Sequence, residues 1–399
     1  MNSPVAQLPF RLPPPADGRV DLLVVAGEHS GDEHAALAVR ELRAKNPALR
    51  VCALGGPNLA AAGAQVLHDL TASSVVGFVE VLKHYSFFKA LFEETLRWIG
   101  EHRPRAVCFV DYPGFNLRLA AALRERGISV KGGGTVSLLY YISPQIWAWK
   151  RQRRFTMARD LDALAVIFPF EVDCYADTDL PVDFVGHPFV APGYVAPVKH
   201  DPAGPVLLLP GSRKQAVARI FPVLLAAYQN YRDGGGTREA VVIYPSEEIR
   251  AVLLAANPPA GIRLLAGAEG AELSTATVPN GPVAAAAVLT SSGTMSLHCA
   301  LAGIPGAIAY RTNPFTYLLA RWWVKLDYIG IANLLLNQPM YPEYIQGAAR
   351  PEALAAELRA SLEDAVRAQH TRAQAERLHG LLDQPAHFNV ADWLARELG

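Results

Sequence analysis

Residues 20–45 read VDLLVVAGEHSGDEHAALAVRELRAK, and this stretch decides the fold class. It begins with an unbroken apolar run rich in valine and leucine, which is typical of a parallel strand buried on both faces. Gly27 and Gly31 then allow a tight turn. The remainder has the apolar spacing of an amphipathic helix. The stretch therefore predicts a strand, a turn and a helix, which is the repeating element of a doubly wound α/β domain.

The same alternation recurs along the chain. The apolar runs RVCALGG, RAVCFVDYPG, VSLLYYIS, LDALAVIFPF and VDFVGHP follow in the first half. A segment rich in proline and glycine at residues 187–205 interrupts the pattern, and VLLLPGS, EAVVIYPS, GIRLLAG, PVAAAAVLTSSG and GAIAYRT restart it. We therefore expect a Pro-rich tail at 1–19, Rossmann-like doubly wound domains at 20–190 and 205–350, and helices at 351–399.

Composition argues against several classes of protein. The 399 residues carry 37 Lys and Arg against 37 Asp and Glu, so no excess of positive charge attracts nucleic acid. Four cysteines without CxxC spacing predict neither a disulfide framework nor a thiolate metal site, which fits a reducing, cytoplasmic setting. The first residues lack the pattern of a signal peptide, and no run of about 18 apolar residues predicts a membrane span.

The loops that follow strands are the candidate sites, because ligands of open α/β sheets bind beyond the carboxyl ends of the strands. After the first strand, Glu28, Ser30 and Asp32 place polar groups at the start of a helix. A plain helix N-cap at Ser30 or Asp32 is the alternative interpretation. The histidines at positions 29 and 34 and the acidic residues between them do not have the zinc-protease spacing, so no metal site is expected there.

A second loop begins at Asp111, which ends an otherwise apolar strand. Pro113 and Gly114 turn the chain, and Asn116 is expected to start the next helix. A carboxylate that is held at such a place and partly desolvated is a candidate general base for a substrate hydroxyl. The alternative is a turn residue that bonds its own backbone.

Two loops in the second half are suited to an anion. Ser212 and Arg213 stand at a predicted helix start, where backbone N–H groups and a guanidinium favour a diphosphate. In SSGTMSLHCA, the turn at residues 292–294 forms another helix start and is a second candidate place for a phosphate or nucleotide. His298 follows one helical turn later. It could belong to this site, or it could be a buried histidine of the core. The pattern favours a two-domain transferase with a nucleotide-linked donor in the second domain and an acceptor in the first.

Nine motifs, in order, resemble those of the lipid-A-disaccharide synthase family. They are AGEHSGD (26–32), GGPNLAAAG (55–63), VVGFVEVL (75–82), DYPGFN (111–116), YYISPQIWAWKRQR (140–153), FPFE (168–171), FVGHP (184–188), LLPGSR (208–213) and SSGTMSLHCAL (291–301). Residues 333–335 and 342–346 are similar to later elements of that family. The resemblance implies a GT-B fold, an α/β architecture in which two Rossmann-like doubly wound domains face each other across a cleft.

The resemblance also implies a reaction. Such an enzyme joins UDP-2,3-diacylglucosamine to 2,3-diacylglucosamine 1-phosphate with inversion and releases UDP, without a metal or another cofactor. Asp111 matches the family's essential aspartate and would be the base for the acceptor 6-hydroxyl. The family's other polar positions on the acceptor side correspond to Glu28, Ser30, Asp32 and Asn116. The residues that would hold the UDP diphosphate are Ser212, Arg213, Ser292, Gly293 and Thr294.

Several positions depart from the family. The family carries a glutamate at position 298 that binds both ribose hydroxyls of UDP. The resemblance therefore implies that His298 lies at the ribose of UDP, although a neutral imidazole has only one donor and one acceptor. Tyr140 stands in place of a histidine, His29 of an alanine and Ala216 of an acidic residue. These departures leave open a related enzyme acting on another UDP-sugar, as a transferase or an epimerase-like hydrolase, and a non-catalytic, membrane-associated relative.

Acylated substrates predict a peripheral association with the inner membrane. Residues 79–103, VEVLKHYSFFKALFEETLRWIGEHR, combine aromatic and basic side chains as in an interfacial helix, with core packing as the alternative. Trp322 and Trp323 are a second candidate. Trp147 and Trp149 would line the cleft or lie buried in its wall. A homodimer is left open, and no nucleic-acid partner is expected.

Overall fold

A computed structural model describes residues 10–74, 85–267, 281–313 and 327–399. The chain divides into two compact units. The N-terminal unit holds the described residues up to Val185 together with Ala386–Gly399, and the C-terminal unit holds the described residues of Gly186–Pro385. The start of the tail, the motif VVGFVEVL and the pair Trp322 and Trp323 lie outside the described residues. The domain ranges expected from the sequence remain predictions.

A parallel sheet of seven strands forms the centre of the N-terminal unit. In chain order these are β1 (Leu22–Ala26), β2 (Val51–Gly55), β3 (Gln65–Asp69), β4 (Ala106–Val110), β5 (Ser137–Tyr141), β6 (Ala163–Val166) and β7 (Val182–Phe184). Their order across the sheet is β3-β2-β1-β4-β5-β6-β7. β1 pairs with both β2 and β4, so the loops after β1 and β4 leave the sheet side by side at a topological switch point.

The helices of this unit follow the strands. They are α1 (His29–Lys45), α2 (Pro57–Ala61), α3 (Leu70–Ser74), α4 (Tyr85–His102), α5 (Pro113–Glu125) and α6 (Arg153–Asp160). Every residue of β1 and β4 is buried, as expected for central parallel strands covered on both faces. The core below the loops is therefore rigid, which fixes the ends of β1 and β4.

The C-terminal unit repeats the same plan. Its six-stranded parallel sheet contains β9 (Val206–Leu209), β10 (Ala240–Tyr244), β11 (Ile262–Ala266), β13 (Ala287–Thr290), β14 (Gly306–Tyr310) and β15 (Glu343–Ile345), in the order β11-β10-β9-β13-β14-β15. A small parallel pair joins β8 (Val198–His200) to β12 (Val283–Ala285). The switch point lies between β9 and β13, which pair directly.

Six described helices accompany these strands: α7 (Lys214–Asp233), α8 (Glu247–Ala255), α9 (Thr294–Leu301), α10 (Ile331–Leu336), α11 (Pro351–Glu363) and α12 (Ala365–Leu382). α7 follows β9 and α9 follows β13, so both helices begin at the switch point. In the described parts of the chain, no helix is both long enough and apolar enough to cross a bilayer.

The last helix returns to the N-terminal unit. α13 (Val390–Leu398) packs against α1 and β6, and its Trp393 is fully buried. Arg396 forms an ion pair with Asp183 of β7 at 2.5 Å, and Lys45 of α1 pairs with Asp392. Residues 351–399 are thus largely helical, and their helices belong to two different units.

Three details differ from the expectations. The run PVAAAAVLTSSG is not one strand but two, β12 and β13, which lie in different sheets. The strands β3, β8 and β15 carry too few apolar residues to stand out as buried runs. α5 begins at Pro113 and not at Asn116, because proline is favoured in the first turn of a helix.

Candidate functional site

The loop after β1 is shaped by the ring of Tyr112. A β-carbon on Gly27 would lie 2.5 Å from Tyr112 Cγ and 2.6 Å from Cε1, so only glycine fits there. Glu28 is the N-cap residue of α1, so the alternative interpretation, an N-cap of this helix at Ser30 or Asp32, is wrong. Burial, followed by the nearby charge of Glu28, raises the pKa of Tyr112. The first loop and the loop after β4 are thus in contact, as the switch point requires.

Asp32 is fully buried and binds backbone groups of another loop. Its Oδ1 accepts hydrogen bonds from the N–H groups of Gly56 at 2.6 Å and Leu59 at 3.4 Å, and Oδ2 accepts one from Asn58 at 3.0 Å. These N–H groups lie at the start of α2, so Asp32 caps α2 although it is more than twenty residues away along the chain. A direct contact with the acceptor stays a prediction for Asp32, whose two oxygens both accept hydrogen bonds within the protein.

The two histidines near this loop, His29 and His34, both lie in α1. His34 is buried, and burial lowers its pKa to about 4, so the imidazole is neutral near pH 7. Across the described residues, no group of three or more metal-binding side chains converges.

Asp111 has a strained backbone. Its φ is +44°, and the φ of Tyr112 is +48°, so two consecutive non-glycine residues occupy the left-handed region. Each such residue costs on the order of 1 kcal/mol or more, and strain of this kind is concentrated at functional sites. The Asp111 side chain is half-buried at the end of β4. It therefore stands where a base with restricted access to water is expected.

Two side chains hold the carbonyl group of Asp111. The Tyr140 hydroxyl donates to Asp111 O at 2.5 Å, and Asn116 Nδ2 donates to the same oxygen at 2.8 Å. Asn116 also approaches the carbonyls of Val25 at 3.3 Å and Val110 at 3.4 Å, and it is fully buried. The structure thus places Asn116 beneath the loops, tying β1 to β4, and its contact with the acceptor stays a prediction.

A buried carboxyl group lies near Asp111. Glu171, in the FPFE motif, accepts hydrogen bonds from Trp147 Nε1 and from the Phe168 N–H, both at 3.2 Å. Burial above all, with a smaller contribution from the charge of Asp111, raises the pKa of Glu171 to about 8. Glu171 is therefore mostly neutral at pH 7. Its motif, FPFE, is part of the family resemblance, but nothing in the local sequence assigns this carboxyl group a role.

The two predicted anion loops of the C-terminal unit meet. Gly211 has φ +111°, and a β-carbon there would lie 3.2 Å from Ser291 Oγ. The N–H of Ser291 also donates to Leu209 O at 2.8 Å. Arg213 is the N-cap residue of α7, and it is exposed, directly after the half-buried Ser212.

The second of these loops opens α9. Gly293 is the N-cap residue and Thr294 the first residue of the helix, with Ser292 half-buried just before them. Two helix N-termini therefore lie at neighbouring strand ends, and both direct backbone N–H groups and positive dipole ends to this edge of the sheet. Such an arrangement is suited to a diphosphate.

His298 lies in an aromatic cluster. Its ring centroid is 4.0 Å from that of Phe189 and 5.8 Å from that of Tyr194, and 1% of its surface is exposed. The Tyr194 hydroxyl is 3.3 Å from His298 Nε2. A pocket of about 220 Å³ adjoins the cluster, with His200 and His379 also in its wall. The structure therefore surrounds His298 with aromatic rings, and a contact with ribose stays a prediction.

The expected membrane helix is only partly described. Leu91 and Trp98 of α4 are fully buried, and Trp98 Nε1 donates to Pro13 O at 2.8 Å. The interfacial prediction is therefore wrong for these two residues, because they complete the hydrophobic core. Trp149, by contrast, is 42% exposed, and Lys150 Nζ lies 4.3 Å from its ring centre. The alternative that Trp149 is buried in the wall of the cleft is therefore wrong.

Comparison with solved structures defines the class of the fold. The glycosyltransferase of kitacinnamycin superposes with a TM-score of 0.56 at 14% identity, covering 96% of this chain and 100% of its own. The calicheamicin glycosyltransferase CalG4 gives 0.53 at 16%, covering 96% and 98%. A putative UDP-N-acetylglucosamine 2-epimerase from Listeria monocytogenes gives 0.56 at 10%, covering 94% and 95%. The fold is therefore GT-B, with a Rossmann-like sheet in each unit.

Sequence comparison then gives the family. The family described as lipid-A-disaccharide synthetase matches residues 22–396, and this chain belongs to it. The lipid-A-disaccharide synthase of Geobacter sulfurreducens is 36% identical over 363 residues, covering 88% of this chain and 90% of that protein. Lipid-A-disaccharide synthase 1 of Legionella pneumophila strain Lens is 34% identical over 339 residues, covering 82% and 83%. The chain is thus a glycosyltransferase of lipid A biosynthesis.

Proposed function

We propose that this glycosyltransferase moves 2,3-diacylglucosamine from UDP-2,3-diacylglucosamine to 2,3-diacylglucosamine 1-phosphate. UDP and the disaccharide 1-phosphate are the products, and the anomeric centre is inverted. The observation that carries the proposal is the strained, half-buried Asp111 at the switch point of the N-terminal unit, in a chain whose relatives bear the name of this synthase.

Asp111 acts as the general base in the proposed mechanism. Its carboxylate takes the proton of the acceptor 6-hydroxyl while the oxygen attacks the anomeric carbon of the donor. The bond from that carbon to the diphosphate breaks, and its electron pair leaves with UDP. Glu28 and Ser30, which lie half-buried beside Asp111's loop, bind hydroxyl groups of the acceptor. Attack from the face opposite the leaving group inverts the centre.

The C-terminal unit holds the donor. Negative charge grows on the diphosphate as the bond breaks, and Arg213, Ser212 and the turn at residues 292–294 offset it. The N-termini of α7 and α9 support this assignment, because both open at this edge of the sheet. His298 follows on α9 and is assigned to the ribose. No metal or other cofactor takes part in this scheme.

Substitution of Asp111 by asparagine tests the base. We expect Asp111→Asn to lower kcat by about 100-fold to 10,000-fold, the range for loss of general base catalysis, and to leave the Kd for UDP within twofold. Asp173→Asn removes an exposed carboxylate of the same unit and should retain full activity. Full turnover by Asp111→Asn would contradict the assignment.

The products distinguish the proposal from its alternatives. Purified protein is incubated with UDP-2,3-diacylglucosamine and the 1-phosphate acceptor, and the products are separated by mass. UDP with disaccharide supports the synthase. UDP with free sugar, or turnover of another UDP-sugar only, supports a hydrolase, an epimerase or a different transferase. Binding of both substrates without turnover supports a non-catalytic relative.

Contact with the inner membrane is part of the proposal, on its cytoplasmic side. Trp149, Phe155 and Phe170 are 42%, 44% and 39% exposed, and Lys150 and Arg153 lie over the Trp149 ring. We propose that these five residues form one surface, which we call the aromatic face. Tryptophan beside cationic side chains is suited to the headgroup region of an anionic bilayer, where the acylated substrates reside.

Vesicle binding tests the aromatic face. A Trp149→Ala/Phe155→Ala variant should bind vesicles containing phosphatidylglycerol about tenfold more weakly than the unaltered protein. Leu381→Ala removes a similarly exposed apolar side chain from α12 and serves as the control. Equal binding by the double variant would reject this face as the contact.

A homodimer stays a prediction. Measurement of the molecular mass in solution tests it.

A further inference from the structure

The side chain of Tyr140 reaches the backbone carbonyl oxygen of Asp111, the proposed base. The Tyr140 side chain is fully buried in β5, which pairs with β4, and its hydroxyl donates to Asp111 O at 2.5 Å. Asn116 of α5 donates to the same oxygen at 2.8 Å. One carbonyl group thus receives donors from two different elements of the N-terminal unit.

These donors act on the strained part of the chain. Asp111 and the following Tyr112 hold left-handed φ angles of +44° and +48°, which L-residues adopt only where the surroundings compensate for the cost. The carbonyl group of Asp111 belongs to the peptide that joins these two residues. A donor that fixes this carbonyl therefore fixes the backbone from which the Asp111 side chain departs.

The Tyr140 hydroxyl is suited to donating this hydrogen bond near neutral pH. Burial chiefly, and the negative charge of Asp111 secondarily, raise the pKa of Tyr140 well above its usual value. The group therefore keeps its proton and always donates. A phenylalanine would fill nearly the same volume without donating a hydrogen bond, so it isolates the hydroxyl from the packing of the ring.

We propose that Tyr140 is a positioning residue for Asp111. Its hydroxyl group holds the backbone carbonyl of Asp111 in place by a hydrogen bond. The inference rests on the proposed role of Asp111 as base. Its consequence is kinetic: loss of the hydroxyl lets the 111–112 peptide relax, which displaces the carboxylate from the acceptor hydroxyl. The chemical step slows while the binding of both substrates changes little.

A matched pair of substitutions separates positioning from stability. Tyr341 of the C-terminal unit is also fully buried, and its hydroxyl donates to the backbone carbonyl of Ile304 at 2.6 Å. Tyr140→Phe and Tyr341→Phe each leave a buried carbonyl with one donor fewer, so both should lower the melting temperature by a similar few degrees. Only Tyr140→Phe should lower kcat, by about tenfold, with KM for either substrate changed less than twofold.

A double-mutant cycle supplies the decisive measurement. In the Asp111→Asn background there is no carboxylate to position, so adding Tyr140→Phe should leave the residual single-turnover rate unchanged. A kcat for Tyr140→Phe equal to that of Tyr341→Phe would overturn the inference. So would a further tenfold loss in the Asp111→Asn background, because the hydroxyl would then act independently of the carboxylate.

The two proposals fail differently. If Asp111→Asn retains full turnover, the base itself is wrongly assigned, and the positioning role falls with it. If Asp111→Asn abolishes turnover while Tyr140→Phe is fully active, the base stands and only the role of Tyr140 is rejected.

Discussion

Replacement of Gly27 by alanine tests the packing between the loops that follow β1 and β4. The added β-carbon would lie 2.5 Å from Tyr112 Cγ and 2.6 Å from Cε1. Carbon atoms in contact are normally about 3.5–4.0 Å apart, so the ring or the loop must move by about 1 Å. Cγ lies on the Cβ–Cγ axis about which the Tyr112 ring rotates, so rotation of the ring cannot relieve this overlap.

The expected effects follow from this displacement. Overpacking a well-packed site costs about 1–3 kcal/mol, so the free energy of unfolding should fall by that amount. Tyr112 follows Asp111 directly, and a shift of about 1 Å in a catalytic group can lower the rate about 100-fold. Gly27→Ala is thus expected to lower kcat/KM about 100-fold while the protein remains folded.

Gly31→Ala, four residues further along the chain, is the matched control. A β-carbon there would lie 3.6 Å from Val110 O and 3.8 Å from Ala26 Cβ, which are ordinary contacts. Gly31 is inside α1, where alanine is favoured by up to about 1 kcal/mol. Urea unfolding and initial rates of UDP release are measured for both variants. Equal stability of the two proteins, or a Gly27→Ala enzyme of normal activity, would refute the described packing.

Three further substitutions test other contacts of the structure. The raised pKa of Glu171, about 8, means that the folded state holds its proton more tightly. The unfolding free energy of the unaltered protein should therefore decline between pH 4.5 and about 8, by up to about 1.4 kcal/mol per pH unit. Glu171→Gln should lack this decline. Parallel pH profiles of unfolding free energy for the two proteins would contradict the raised pKa. Asp32→Asn leaves one acceptor oxygen for the N–H groups of α2 and should cost about 1–3 kcal/mol in urea unfolding, whereas an unchanged midpoint would reject the cap. His298→Glu should tighten UDP binding about 10-fold to 100-fold by calorimetry, and an unchanged Kd would mean that the donor is held in another way.

The strands that carry the site are predictable from the sequence. β1, β4 and β9 are central parallel strands, and such strands appear as continuous apolar runs because both faces are buried. The loops that follow them were therefore recognisable as candidate sites, and the order of the strands brings those loops together in each unit. β3, with the sequence QVLHD, lies at a sheet edge and lacks this signal.

Contacts between distant residues are less accessible to sequence reasoning. Asp32 reads as a cap for its own helix, yet its carboxylate binds the N–H groups of residues 56–59. The contact of Tyr140 with Asp111 depends on the register of β5 against β4, which pairs Tyr140 with Phe109. No local pattern encodes such a register. The departure from histidine marked position 140 as unusual, but its partner became visible only in the fold.

The return of α13 to the N-terminal unit affects how the protein is made. Trp393 is fully buried there, and Arg105 donates to the carbonyl of Leu398. During synthesis, the unit whose residues leave the ribosome first thus lacks a buried part until the region 386–399 has been translated. A fragment that stops at residue 385 exposes the surface that α13 covers, so the N-terminal unit would be less stable in that fragment than in the full chain.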